Sequence, residues 1–148
     1  MKFVIQRVNH ASCVVAGQIA GQINKGGCVF IGVSETDNTE IADKMLKKLF
    51  GMRIFSDTEG KTNLSLKDVK GELLLISQFT LYANCKKGNR PSFIEAGNPT
   101  LANDLYEYCI AKAKEQFSVV ETGIFGADMK ISLENDGPFT IVLDSKDL

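Results

Sequence analysis

The sequence predicts an α+β domain, with a mostly antiparallel, barrel-like sheet packed with two main helices. Three observations carry this reading. Strand-patterned segments rich in Val, Ile and Leu dominate the chain. Two stretches switch to a period near 3.6. No repeat, low-complexity tract or linker divides residues 1–148, so they are read as a single domain.

The elements follow in order. KFVIQRVNHASCVVAGQIAGQI alternates apolar and polar residues in places and reads as strands with small-residue turns. GGCVFIGVS is a continuous apolar run bounded by glycines, the pattern of a buried strand. Ile41, Met45, Leu46, Leu49 and Phe50 then share one helical face. Asp37 is the expected cap, with Glu40 completing a capping box and Gly51 ending the helix. MRIFSD reads as a strand, and DTEGKTNLSLKDVKG as a polar loop or hairpin tip. ELLLISQFTL gives a strong strand over Leu73 to Phe79.

The second helix starts at Asn98 and Pro99, an N-cap followed by a first-turn proline. Leu101, Leu105, Cys109 and Ala113 form its stripe. VVETGIFGADM, KISLE and FTIVLDS complete the strands. Between the last two lies NDGPFT, residues 135–140, which reads as a hairpin turn because Asp-Gly tolerates positive φ. Pro138 does not fit that reading, since it has no N–H to give the returning strand.

Composition narrows the function. The formal net charge is −1, so any nucleic-acid contact must be local. No apolar run reaches a membrane-spanning length, and Arg7 and Asn9 interrupt any signal-like stretch. A soluble, cytoplasmic protein is expected. Cys13, Cys28, Cys85 and Cys109 form no CxxC pair and the only histidine is His10, so neither metal nor cofactor is expected. Cys13 and Cys28 lie in apolar runs and read as buried thiols. There is no Gly-x-Ser-x-Gly elbow, HExxH, P-loop or GxGxxG. An enzyme with this inventory works by positioning and backbone donors on a labile bond.

SQFTLYANCKKGNRPSF, residues 77–93, is the candidate site. A buried strand ends there in Ser77, Gln78, Thr80 and Tyr82, then turns basic at Lys86, Lys87 and Arg90. The bland alternative is a polar strand edge with solvated lysines. A thiol hydrolase built on Cys85, beside two lysines, is a second reading. A non-catalytic RNA-binding module using the basic loop is a third.

Taken together, SQFTL, YANCKKGNRPSF, TGIFGADM at 122–129 and NDGPFT resemble D-aminoacyl-tRNA deacylases. The resemblance runs from Lys2 to the LDS at 143–145, essentially the whole chain. It departs where the family often has valine after Gly-Pro and this chain has Phe139, and at Asn84 and Lys86, where Asp and Arg are common.

The resemblance implies hydrolysis of D-aminoacyl-tRNA, and of glycyl-tRNA, by a homodimer with active sites at the interface. It implies that Ser77, Gln78, Phe79 and Thr80 form the catalytic strand end. It implies a cis Gly137-Pro138 bond that reaches a partner's pocket and excludes L-amino acids, supported by Arg7. Phe125 and Met129 would hold the terminal adenine of the tRNA 3′ end. Lys86, Lys87 and Arg90 would meet tRNA phosphates.

Overall fold

The computed structural model describes residues 1–148. The strands are β1 (Lys2–Val15), β2 (Gln18–Ile23), β3 (Gly26–Gly32), β4 (Arg53–Ser56), β5 (Thr62–Ser65), β6 (Glu72–Ser77), β7 (Val120–Thr122) and β8 (Met129–Asp144). The helices are α1 (Thr39–Gly51) and α2 (Pro99–Lys114), and a short 3-10 turn spans Phe79–Tyr82. The expected class is borne out: a mostly antiparallel, nearly closed sheet carries two helices. No helix is long and apolar enough to cross a membrane.

β1 organises the sheet. Its first half pairs with β3, its second half with β2, and its whole length with β8, all antiparallel. β6 then adds to β3 and β7 to β6, both parallel. The far edges come together, because a Cβ built on Gly21 of β2 would lie 2.6 Å from the carbonyl oxygen of Thr122 in β7. β4 and β5 form a separate hairpin, with the polar DTEGK segment as its tip.

A strand buried on both faces needs apolar side chains at every position, and β6 meets that demand. Leu73 and Leu75 join Phe3, Ile5, Val29 and Ile31 in the core under the helices. Leu74 and Ile76 point the other way, into a smaller core with Val8, Cys13, Cys28 and Ile23. At about 1.5–3 kcal/mol per buried Leu or Ile, these four residues contribute on the order of 10 kcal/mol to folding. Cys13 and Cys28 are buried free thiols, as expected from their apolar runs. Desolvation pushes the Cys28 thiol up to about 12, with nearby Cys13 adding to the shift.

The helix faces match the sequence stripes. Met45, Leu46 and Leu49 of α1 and Leu105, Cys109 and Ala113 of α2 are buried. Asn98 caps α2 as expected, accepting from the Leu101 N–H at 3.0 Å. For α1 the expected cap is corrected. Asn38, not Asp37, accepts from the Ile41 N–H at 3.0 Å. Asp37 is buried one residue earlier, where it accepts from the Met1 ammonium at 2.6 Å and the Ser34 N–H at 2.7 Å. A tertiary charge pair thus claims the carboxylate that local spacing assigned to the helix.

Two further expectations are corrected. The strand read over Leu73 to Phe79 stops at Ser77, and the chain turns into the 3-10 segment. NDGPFT is not a hairpin, because β8 runs straight through it. Gln6 faces Thr140 and Val8 faces Asn135, so Asp136 to Phe139 bulge outward opposite the single residue Arg7. Pro138 needs no ladder hydrogen bond in such an excursion.

Candidate active site

The end of β6 builds the first part of the site. The Gln78 N–H donates to the Ile31 carbonyl at 2.8 Å, extending the parallel ladder one residue beyond the strand. The chain then coils over Phe79–Tyr82, leaving the Phe79 and Thr80 N–H groups without a protein acceptor. First-turn N–H groups of any helix are left over in this way. Of the backbone donors at this strand end, that of Gln78 is therefore spent and those of Phe79 and Thr80 are left. The Gln78 side chain instead reaches the Thr80 hydroxyl, Nε2 to Oγ1 at 2.5 Å. Tyr82 anchors the coil from below. Burial, with Asp37 close by, pushes its phenol well above the ordinary tyrosine value.

Beside this coil lies a cleft of about 610 Å³. Small-ligand sites span roughly 300–1,000 Å³. Ser77, Gln78 and Phe79 line one part, and Phe125 and Met129 another. The first turn of α2 contributes Pro99 and Ala102, and the following loop Gly126 to Asp128. Phe79, 55% exposed, meets Phe93 edge to face with centroids 5.0 Å apart. Phe125 tilts over Tyr106 at 6.2 Å, and the buried Tyr106 hydroxyl donates to the Leu75 carbonyl at 2.8 Å. The only charged side chain on the lining is Asp128, which pairs with Lys130 at 3.0 Å. The cleft is thus apolar, with polar groups gathered at the strand end.

Lys86, Lys87 and Arg90 are exposed and enter no ion pair. They sit on a loop whose base is closed by reciprocal hydrogen bonds between Asn84 and Ser92, at 2.7 and 3.0 Å. Cys85 is exposed on the same loop. His10, the only candidate base among histidines, lies instead against Glu134 at 3.4 Å on the β1–β8 ladder.

Gly137 and Pro138 lie elsewhere. They are exposed, joined by a cis bond, and do not line the cleft of their own chain. Arg7 holds their excursion. Its Nε donates to the Asp136 carbonyl at 3.0 Å and its Nη1 to the Ile54 carbonyl at 2.6 Å. Its guanidinium also stacks 4.6 Å from the Phe139 ring centroid. Gly137 has φ +135°, and a Cβ there would stand 2.9 Å from an Arg7 nitrogen, so only glycine fits. Phe139 closes the excursion by donating its N–H to the Asn135 side chain at 2.7 Å.

The fold thus brings Ser77, Gln78 and Phe79 together with Phe125 and Met129 on one cleft, leaves Thr80 off its lining but bonded to Gln78, and sets Arg7, Gly137 and Pro138 apart as a second, outward-facing group. Sequence reading gave no role to Phe93, at the end of the candidate stretch, or to Ala102 and Tyr106. An aromatic in a loop flags Phe93, but nothing local distinguishes Ala102 or Tyr106 from ordinary helix core. A second hollow of about 330 Å³, between α1 and α2, is shallow and of mixed charge, with Lys67 and Lys112 already bonded to Gln116 and Glu115. It carries none of the features of the first.

These features define a small α+β protein with an apolar cleft, sized for a small ligand, beside free backbone donors. More particularly, the chain belongs to the D-Tyr-tRNA(Tyr) deacylase family, whose model matches residues 4–144. It is 56% identical to a D-aminoacyl-tRNA deacylase of Lactobacillus acidophilus over 97% of this chain and 99% of that one. It is 49% identical to one from Thermosipho melanesiensis over 99% and 98% of the two chains. Among solved structures, the "c-Myc DNA Unwinding Element Binding Protein" superposes with a TM-score of 0.92 at 36% identity, covering 97% and 98%. A probable eukaryotic D-amino acid tRNA deacylase shares the fold, with a TM-score of 0.78 at 18% identity and 96% and 97% coverage.

Proposed function

We propose that the protein hydrolyses the ester joining a D-amino acid, or glycine, to the 3′ end of tRNA. It acts in the cytoplasm as a homodimer, with each cleft completed by Gly137-Pro138 of a second copy. One observation carries this reading. A rigidly braced, exposed Gly-Pro excursion lies apart from its own cleft, so it is free to enter another.

The chemistry follows from the strand end. The terminal adenine enters between Phe125 and Met129, an aromatic and a thioether contact. The ester carbonyl then reaches the Phe79 and Thr80 N–H groups, which stabilise the oxyanion. Losing one such donor typically costs about 10²–10³ in rate. The Thr80 hydroxyl, held by Gln78, orients water or the neighbouring 2′-hydroxyl; no base stands beside it to make it a nucleophile. Ser77 shapes the pocket next to it. Lys86, Lys87 and Arg90 lie on the approach and meet phosphates.

Chiral choice follows from exclusion. Carbonyl oxygens of Gly137 and Pro138 from the second copy face the substrate ammonium, while the backbone donors fix the ester. With two substituents pinned, side chain and hydrogen exchange places between D and L. Main chain fills the L position, so L substrates clash. Glycine has nothing to exclude and passes. No side chain reads the D side chain, so breadth over amino acids is expected.

The test is hydrolysis of matched D-, L- and glycyl-tRNA by the purified protein, with and without chelator. Release from D- and glycyl-tRNA, none from L, and indifference to chelator are expected. Equal turnover of D and L would refute exclusion.

A further inference from the structure

Gly123 occupies a position the proposed reaction does not use. It follows β7 directly, and its N–H donates to the Leu75 carbonyl at 3.1 Å. That same carbonyl accepts the Tyr106 hydroxyl at 2.8 Å. One oxygen thus ties down both the start of the 123–128 loop and the ring beneath Phe125. The space beside Gly123 is filled by other residues. A Cβ built on it would lie 2.4 Å from the Met129 sulfur, 3.1 Å from Ile76 Cδ1 and 3.4 Å from the Cys13 sulfur. Its φ is not in the left-handed region, so the restriction is one of space and not of backbone conformation.

Met129 and Ile76 both line the cleft. Ile76 is fully buried and cannot retreat, because the barrel interior is packed behind it. The Met129 side chain is flexible and half-exposed, with the open cleft beside it. A methyl group at residue 123 therefore displaces the thioether in the one direction that offers room, into the cleft.

We propose that Gly123 is a positioning residue that sets the depth of the adenine recess by seating the Met129 thioether against the backbone. The missing side chain at 123 is what lets Met129 line the recess without blocking it. This inference rests on the reading that Met129 touches the terminal adenine.

The test compares Gly123→Ala, Met129→Ala and the double variant on D-aminoacyl-tRNA, with melting temperature as a parallel measure. Gly123→Ala is expected to raise KM about tenfold, the upper end of what a thioether–aromatic interaction supplies, with kcat within about twofold because the strand-end donors are untouched. In the Met129→Ala background, Gly123→Ala should add nothing, since the atom it strikes is gone. A merely structural glycine would lower melting temperature equally in both backgrounds and leave the KM/kcat split unmoved. Unchanged KM in Gly123→Ala, or effects that add in the double variant, overturns the proposal. Should Gly123→Ala fail to fold, a folded double variant with the KM of Met129→Ala supports it, and an unfolded double variant overturns it. If Met129→Ala alone matches wild type while Gly123→Ala is impaired and the double variant recovers, the seat stands and the adenine reading falls. If Met129→Ala is impaired and Gly123→Ala is not, the adenine reading stands and the seat falls.

Discussion

Replacing Arg7 by alanine removes the brace behind Gly137-Pro138. Arg7 is 11% exposed at its side chain, and its two hydrogen bonds to main-chain carbonyls measure 3.0 and 2.6 Å. A hydrogen bond to a charged group contributes about 1.5–3 kcal/mol. The stack on Phe139 adds about 0.5–2 kcal/mol. The Asp136 carboxylate, 3.4 Å away and 40% exposed, adds little because solvent screens it. Part of the sum is recovered when the freed carbonyls hydrate, and neighbouring interactions are not additive. A net loss of about 3–4 kcal/mol remains. At about 2–4 °C per kcal/mol for a chain of this size, the melting temperature falls by roughly 10 °C. The functional signature is separate. Under the proposed exclusion, a slackened excursion leaves the L position open, and L-aminoacyl-tRNA hydrolysis is expected to rise relative to D. Arg7→Lys keeps the charge but loses the planar fork, and falls between wild type and alanine. Thermal melts and single-turnover hydrolysis of D- and L-substrates measure both effects. A variant that melts within about 2–4 °C of wild type and still refuses L-substrates would refute the bracing role.

Thr80→Ala removes the hydroxyl that Gln78 holds and is expected to lower single-turnover deacylation by up to about a hundredfold, the cost of a misplaced reacting group; an unchanged rate would leave the chemistry to main-chain donors alone. Replacing Lys86, Lys87 and Arg90 together by alanine should weaken tRNA binding and flatten its salt dependence by about 0.7–0.9 for each phosphate no longer neutralised, measured as the slope of log affinity against log salt. Stability should fall at alkaline pH. Burial raises the Cys28 and Cys109 thiols from 9.0 to about 12. A raised folded value means the contribution is whole below pH 9 and is lost as pH rises toward 12, by up to about 1.4 kcal/mol per pH unit for each thiol. Melting temperatures that stay level from pH 8 to 10.5 would contradict this.

The sequence made the helices legible because their signals are local. The Asn98-Pro99 start and the Leu105, Cys109, Ala113 stripe depend only on neighbours three or four residues away. The cap of α1 failed for the opposite reason. Asp37 and Asn38 are both good caps, and the choice was made by the Met1 ammonium, 36 residues distant in sequence. NDGPFT failed similarly. Its turn chemistry was real, but the pairing of β1 with β8 on both sides turned a hairpin into an outward excursion.

Residue types alone pointed to an α+β fold, with a single histidine and no CxxC pair. They also marked SQFTL and Gly-Pro as stretches with more polarity or rigidity than a core needs. Only the tertiary structure decided which backbone donors remain free. The Gln78 N–H is spent on Ile31, a partner 47 residues away, while those of Phe79 and Thr80 are not. Only it joined Phe125 and Met129 to the strand end, and set Gly137-Pro138 outside its own cleft on a brace from Arg7. Hydrogen bonds and close packing between distant strands are fixed by which chains lie side by side, and no local spacing carries that information.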